Sequence, residues 1–384
     1  MANTLTNLIP DAYAALDVVS RELTGFIPSV ARDPQADMVA VGQTLRIPQT
    51  AANSAGGNIT AAMAFPAAAD QTVGNKTLTI SKSRFYPFSW NGEEQKAAPG
   101  YLSMKQDQIA QAMRGLVNEM EADVWAAAYK GGSRGYGTAG ATPFASTLAD
   151  PANIKKILDD NGAPFDRSLV IDTTAGAKMR TLAQLTKANE AGDTSLLRQG
   201  TLLDIHGFAV RESAQVAAVA AGAMASATTT AAVLAIGQTV LPLATAGTGV
   251  VAAGDLITLA NDTNIYVVSS VSFAGANPAS GDSITIAAPG LKVAQASAAR
   301  AITVIAASTR NVAFSRNAIL LASRLPAVPV EGDLATDRQT IVDDRTGIAF
   351  ELAVYPGFRM NVYHVSAAWG VSVVKPEHVA VLLG

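Results

Sequence analysis

RFYPFSWNGEEQKAAPGYLSMKQDQIAQAMRGLVNEMEADVWAAAYKGG, residues 84–132, changes texture half-way along. Beyond Pro99 and Gly100, Ile109, Met113, Leu116, Met120 and Val124 recur at three- and four-residue steps, with Gln111, Arg114, Glu119 and Glu121 off that stripe. Ser103 and Gln106 have capping-box spacing, and Gly131 and Gly132 supply a stop, so the pattern predicts one helix over 104–130. At 1.5 Å per residue it is about 40 Å long, a strut on which other elements can pack. The first half sets Phe85, Tyr86, Phe88 and Trp90 beside Arg84 and Pro87, with Glu93 and Glu94 following. Such a cluster can stack bases, line a catalytic cleft or serve as scaffold.

Composition narrows that choice. The chain has 384 residues, more than one core usually holds, so two or three domains are expected. Charged residues are only 15%, against about 25% in an average soluble domain, which predicts a surface largely covered by partners. Net charge is −3 with no basic tail, which disfavours gripping nucleic acid through phosphate neutralisation. There is no cysteine, which excludes disulfides, thiolate metal sites and thiol nucleophiles. Asp11 and Asp17 interrupt the first twenty residues where a signal peptide needs an apolar core, so the expectation is a protein made and kept in the cytoplasm. The charge-free run between Glu212 and Asp255 is built from Ala, Thr, Gly and Ser, which insert weakly into a bilayer, and predicts strands and turns without any membrane span.

The rest of the chain sorts by texture. Ala12 to Leu23 is a short amphipathic stretch, and Leu45 and Ile47 alternate with polar neighbours in an extended piece, together resembling an arm. NITAAMAF from Asn58 and KTLTISKSRFYPFSW from Lys76 predict an out-and-back β-hairpin around a loop at Pro66 to Gly74, with too little apolar surface for its own core. Residues 152–212 read as α/β: a helix ending at Gly162, a buried strand at Leu169 to Ile171, a helix capped by Asp172 or Thr173, and a turn at Gly207. AGDLITLA from Ala253 and SGDSITIA from Ser280 echo each other as two equivalent Gly-Asp turns of one small β module. From Thr309 the α/β texture resumes, and the last fifty residues are β-rich.

Catalytic signals are poor. GDSI at Gly281 resembles the serine block of one esterase family, with His378 as a possible partner for Ser283, but the same Gly-Asp turn recurs at Gly254 with leucine in the serine position. His206, His364 and His378 have no ligand spacing. Asp343 with Asp344, and Glu93 with Glu94, are expected as solvated turns. GNK at Gly74 sits in the expected hairpin tip and precedes no helix, so no phosphate loop, metal or cofactor is expected.

The order of these pieces resembles a tailed-phage major capsid protein of the Hong Kong 97 type, most similar to the coat protein 5 family of short-tailed phages. RFYPFSWNGEEQ leading into QIAQAMRGLVNEMEADVW, then RSLVIDTTAGAKMR, LLDIHGFAVRES, RNVAFSRNAILLASR and FELAVYPGFRMNVYHVSAAWGVSVVKPEH carry the resemblance across nearly the whole chain. It implies an α+β fold: an N-terminal arm at 1–56, an extended β-hairpin loop at 57–92, a spine helix with peripheral domain at 93–146, an axial α/β domain at 147–212 and 307–330, an inserted small β-barrel at 213–306, and a β-rich peripheral return at 331–384. The chain would build hexamers and pentamers of an icosahedral head around double-stranded DNA held without sequence-specific binding, assembled in the host bacterial cytoplasm and found in the virion.

Under that resemblance Arg84, Phe85, Tyr86, Phe88, Trp90, Glu93 and Glu94 become contact and hinge residues between subunits rather than a cleft. The implied partners are a portal, a separate scaffolding protein or none, and a decoration protein. Lys76 and Lys82 lie in the loop where some relatives cross-link, but no motif supports that chemistry. A nanocompartment shell sharing this fold, and a hydrolase using Ser283, are the alternatives.

Overall fold

A computed structural model describes residues 22–50, 73–98, 100–187, 202, 204–245, 247–343 and 346–384. The stretch Ala12 to Arg21, the outgoing strand expected at 58–65, most of the loop from Pro66, and Asp344 lie outside the described residues. Strands β1 (Ala31–Val39), β2 (Thr44–Thr50), β3 (Val73–Thr79) and β4 (Lys82–Asn91) lead into α1 (Gly92–Ala97) and the 30-residue α2 (Tyr101–Lys130). Then come β5 (Arg134–Tyr136), α3 (Ala149–Asp160), β6 (Arg167–Ile171), α4 (Thr173–Arg180), α5 (Ala183–Thr186) and β7 (Phe208–Glu212). Short strands follow: β8 (Ala218–Val219), β9 (Thr228–Thr229), β10 (Val240–Thr245), β11 (Leu256–Leu259), β12 (Ile265–Ser272), β13 (Ser283–Ile286) and β14 (Ile302–Val304). The chain closes with β15 (Ser308–Ser315), β16 (Ile319–Pro326), β17 (Asp337–Val342), β18 (Ala349–Gly357), β19 (Met360–Val373) and β20 (Val379–Leu383).

The stripe on α2 is buried as its spacing requires: Met113, Leu116, Met120 and Val124 are in the core with Val117 and Ala128. One start signal misled. α2 begins at Tyr101 with Gly100 at its N-cap and no side-chain cap, so Ser103 lies inside the helix. The capping box forms twelve residues earlier, where the Asn91 side chain accepts from the Glu94 amide and Glu94 accepts from the Asn91 amide. Glu94 is therefore a buried cap and not part of a solvated turn. Gly131 ends α2 as expected.

Two sheets flank this helix. In the first, long β19 pairs on one side with β4 and on the other with β18 and β16, whose outer neighbours are β17 and β1. In the second, β7-β6-β15-β20-β5 run side by side, with α3 and α4 enclosing a separate core that includes Ile154, Leu158, Leu169 and Phe208. Asp172 caps α4 through the amides of Thr174 and Ala175, and His206 and Gly207 form the expected turn with both φ angles positive.

Several boundaries differ from the sequence reading. β3 pairs along its length with β2, so Thr44–Thr50, placed in the arm, forms the described partner of the returning strand, and Gly74 sits opposite Gln49 inside that ladder rather than at a tip. The strand pattern from Lys76 to Trp90 is broken at Ile80–Ser81 into β3 and β4, which join different sheets. A 3-10 turn at Arg316–Ala318 carries the chain from the second sheet to the first, ahead of the division at 330. The last strand, β20, returns to the second sheet between β15 and β5.

Residues 225–305 form a ring of pairings: β9 to β10, β10 to β13, β13 to β12, β12 to β11 and β11 to β14. The Thr228–Ala301 bridge returns β14 to β9, with the Ile302 amide donating to the Ala227 carbonyl at 3.0 Å. Leu241, Leu243, Ile257, Val268, Ile284 and Ile286 fill its centre. The ring is seamed to the rest of the chain, because Ile265 and Tyr266 pair with Gly135 and Arg134 while Leu256 and Val267 point into the core under α2. Its two ends lie side by side, Ala218 pairing with Thr309.

Candidate contact surface and arm clamp

Successive residues of a strand alternate faces, so Lys82, Arg84, Tyr86, Phe88 and Trp90 form one face of β4. That face lies on α2. Lys82 Nζ reaches Asp123 at 2.8 Å, Arg84 Nε reaches Glu119 at 3.2 Å, and Trp90 Nε1 donates to Gln108 Oε1 at 2.6 Å. Tyr86 lies over Gly115, where a Cβ would come within 2.9 Å of the ring. Two residues of strand advance about 6.6 Å and four of helix about 6 Å, so side chains at alternate strand positions meet helix positions roughly four apart. Asp123 also accepts from Trp369 Nε1 of β19 at 2.8 Å, fixing the strand pair on the helix together.

The seven residues expected at subunit contacts therefore separate. Trp90 is 1% exposed, edge-on to Tyr101 at 5.2 Å, and Phe88 stacks on Tyr363 at 5.1 Å. Trp90 and Glu94 are buried and Phe88 is half-buried, so these three side chains pack mainly within the chain, on α1, α2 and β19. Arg84, Phe85, Tyr86 and Glu93 are exposed. Lys82 is committed to Asp123, and Lys76 Nζ donates to the Val373 carbonyl at 3.2 Å.

A second use of α2 escaped the sequence reading. Arg114, Asn118 and Glu121, at helical steps of four and three, face the chain that precedes β1. Arg114 Nε and Asn118 Nδ2 donate to Glu22 at 2.7 and 2.6 Å, and this pairing lowers the Glu22 carboxyl to about 2 despite partial desolvation. Glu121, expected on the polar face, is fully buried. It accepts from the amides of Gly25, Phe26 and Ile27 at 2.6, 2.8 and 2.9 Å and from Ser213 Oγ at 2.8 Å. Desolvation raises its pKa, and the amides of Phe26 and Ile27, the Ser213 hydroxyl and the Gly25 amide oppose that rise. Polar residues spaced like an apolar stripe were the available signal.

The echoing turns do match. Gly254 and Gly281 have φ of +97° and +95°, and the aspartate after each accepts from two amides: Asp255 from Gly222 and Ala252, Asp282 from Ala274 and Ala279. The geometry accounts for Asp282 as a turn former beside Ser283 on β13. Asp343, expected as solvated, is buried and accepts from the Thr346 amide and hydroxyl at 3.2 and 2.6 Å. His206 sits in a turn, His364 in β19 and His378 in a 3-10 helix. Among the described residues no group of three His, Asp or Glu could hold a metal ion, and no helix is long and apolar enough to cross a membrane.

No family model matches the chain, and no curated protein does. Solved structures match over nearly its full length. A chain of Mycobacterium phage Che8 is similar at 12% identity and a TM-score of 0.51, covering 99% of this chain and 98% of that one. A chain from the capsid structure of the cyanophage P-SCSP1u is similar at 12% identity and a TM-score of 0.50, covering 98% and 93%. The chain thus shares its α+β fold with a phage capsid subunit.

Proposed function

We propose that this chain is the major shell subunit of a tailed-phage head of the Hong Kong 97 type. The observation that carries the reading is the end-to-end fold likeness to a capsid chain at a TM-score of 0.50, with little left over on either side. Other features support it. A subunit that buries its sides against neighbours needs few charges, and this one has 15%. β2 and β3 form a two-stranded ribbon whose apolar support among the described residues is a small cluster around Leu78 and Ile80, a shape that makes sense when a neighbour lies beneath. In this reading α2 is the spine, the ribbon with the segment 51–72 is the extended loop, and the ring at 213–306 is the inserted domain. Double-stranded DNA would be confined by the wall, with hexamers and pentamers as assembly units and portal, scaffolding and decoration proteins as partners. The likeness to the coat protein 5 family is part of the same proposal.

The test is electron microscopy of the purified protein at high concentration, alone and with a scaffolding protein. Closed shells are expected. A monomer at every concentration and ionic strength refutes the reading, and shells that contain proteins and no DNA when isolated from cells identify a nanocompartment instead.

A further inference from the structure

The face of β4 turned away from α2 borders a cleft of about 170 Å³ between the first sheet and the segment 326–333. Its polar floor is unbalanced. Arg338 Nη1 meets Glu351 Oε1 at 2.6 Å and Arg338 Nη2 meets Asp333 Oδ2 at 2.6 Å, so two carboxylates share one guanidinium. Glu351 is 4% exposed and its second oxygen has no hydrogen-bond partner, although a buried carboxylate oxygen left unpaired costs on the order of 1–3 kcal/mol or more. Arg84, which also lines the cleft, is turned to Glu119. His364 does not supply the missing charge, because its burial lowers its pKa and keeps it neutral near pH 7. Rings stand beside this floor: His364 is stacked on Phe85 at 4.7 Å and tilted against Tyr355 at 4.9 Å. A surplus carboxylate flanked by aromatic faces is a receptor for a flat or alkyl cation.

We propose that this cleft receives a guanidinium or ammonium group presented by a second copy of the chain, an inference that rests on the shell reading. Two observations favour a second copy as the source. Arg46 on β2 and Arg359 in the β18–β19 turn are exposed and have no side-chain partner among the described residues, and each sits on an antiparallel strand pair. Next in sequence to the lining residues Pro329 and Asp333 are Val330 and Leu334, exposed to 105% and 83%, apolar surface that a second copy pressed on the cleft would cover.

Two measurements test this. In the first, N-acetyl-arginine methylamide is titrated calorimetrically into unassembled wild-type subunit and into Glu351→Gln, with thermal melting as the folding control. Saturable wild-type binding weakened about tenfold or more by the substitution is expected, and no saturation in the wild type overturns the cleft as a cation site. In the second, the protein concentration at half-assembly is compared for wild type, Glu351→Gln, Arg46→Ala, Arg359→Ala and the two doubles. Glu351→Gln and one arginine variant should each raise it about tenfold, with their double no worse than either alone. If Glu351→Gln loses the probe yet assembles as wild type does, the cleft takes a free amine and the second-copy source is overturned. If the wild type forms no shell under any condition, the shell reading and the second-copy source both fail, while the titration still decides the cleft.

Discussion

Removing the Glu121 carboxylate should release the chain before β1 from α2. In Glu121→Ala the amides of Gly25, Phe26 and Ile27 and the hydroxyl of Ser213 lose their acceptor at once. A buried donor left without a partner costs about 1–3 kcal/mol, and breaking a buried charged contact about 3–5 kcal/mol in total, so roughly 4 kcal/mol is expected. Glu121→Gln is milder. Its carbonyl can keep the three donors now on Oε1, but its amide nitrogen faces the Ile27 amide that Oε2 accepts, a loss of about 1–2 kcal/mol. Amide hydrogen exchange resolves the location of the loss: protection at residues 25–27 should fall by about two to three orders of magnitude in the alanine variant, at roughly 1.4 kcal/mol per decade. Because burial raises the Glu121 pKa, its neutral form contributes stability at low pH that is lost as pH rises from 4.5 through the folded value, and Glu121→Gln should flatten that component. Unchanged protection at 25–27 alongside a lowered global stability would refute the clamp and leave Glu121 as a packing residue.

Trp90→Ala should destabilise the isolated subunit by about 3–5 kcal/mol in denaturant melts, whereas exposed Phe85→Ala should stay within about 0.5 kcal/mol; equal losses would contradict their different burial. Asp255→Ala and Asp282→Ala each strand two amides and should lower stability by similar amounts, about 1–3 kcal/mol, and a loss confined to Asp282 would mean the turns are not equivalent. Glu22, lowered to about 2, contributes stability that is complete above pH 4.5 and is lost as pH falls towards 2; Glu22→Gln should remove that acid dependence, read from melting temperature against pH. Replacing residues 51–72 by a short Gly-Ser link should leave subunit melting near wild type and impair assembly, and the reverse pattern would count against the extended-loop assignment.

What the sequence made legible follows from how far each signal reaches. The stripe on α2, the cap at Asp172 and the near half of each Gly-Asp turn, where Asp255 and Asp282 accept from the amide three residues before, depend on local spacing, and they stand where that spacing puts them; the second amide on each aspartate, Gly222 and Ala274, comes from further off. Partner choice between strands is set by residues far apart in sequence, so β3 was not seen to leave β4 for β2, and β20 was not seen to return beside β15. Burial of charge escapes residue type in the same way: Glu121 and Glu94 are polar by type, but backbone amides brought to them, those of Gly25, Phe26 and Ile27 by distant packing and that of Asn91 by capping geometry, make the interior tolerable. Of the expected contact residues, the alternation in β4 is visible in the sequence while the face that meets α2 is not, so the sequence alone does not separate Trp90 from Phe85.

The seating of β4 on α2 also restricts how the gene can change in length. From Lys82 to Trp90 the strand covers eight residues, about 26 Å, while from Asp123 back to Gln108 the helix covers fifteen, about 22 Å. One added residue in the strand flips every later side chain to the other face, and one added in the helix turns the rest of it by about 100°. Neither element tolerates such a change alone. Viable insertions and deletions should occur as coupled pairs, two codons in the strand with three or four in the helix, or outside residues 82–90 and 108–123, so that among diverged homologues these two stretches keep their spacing after their residues have ceased to be recognisable.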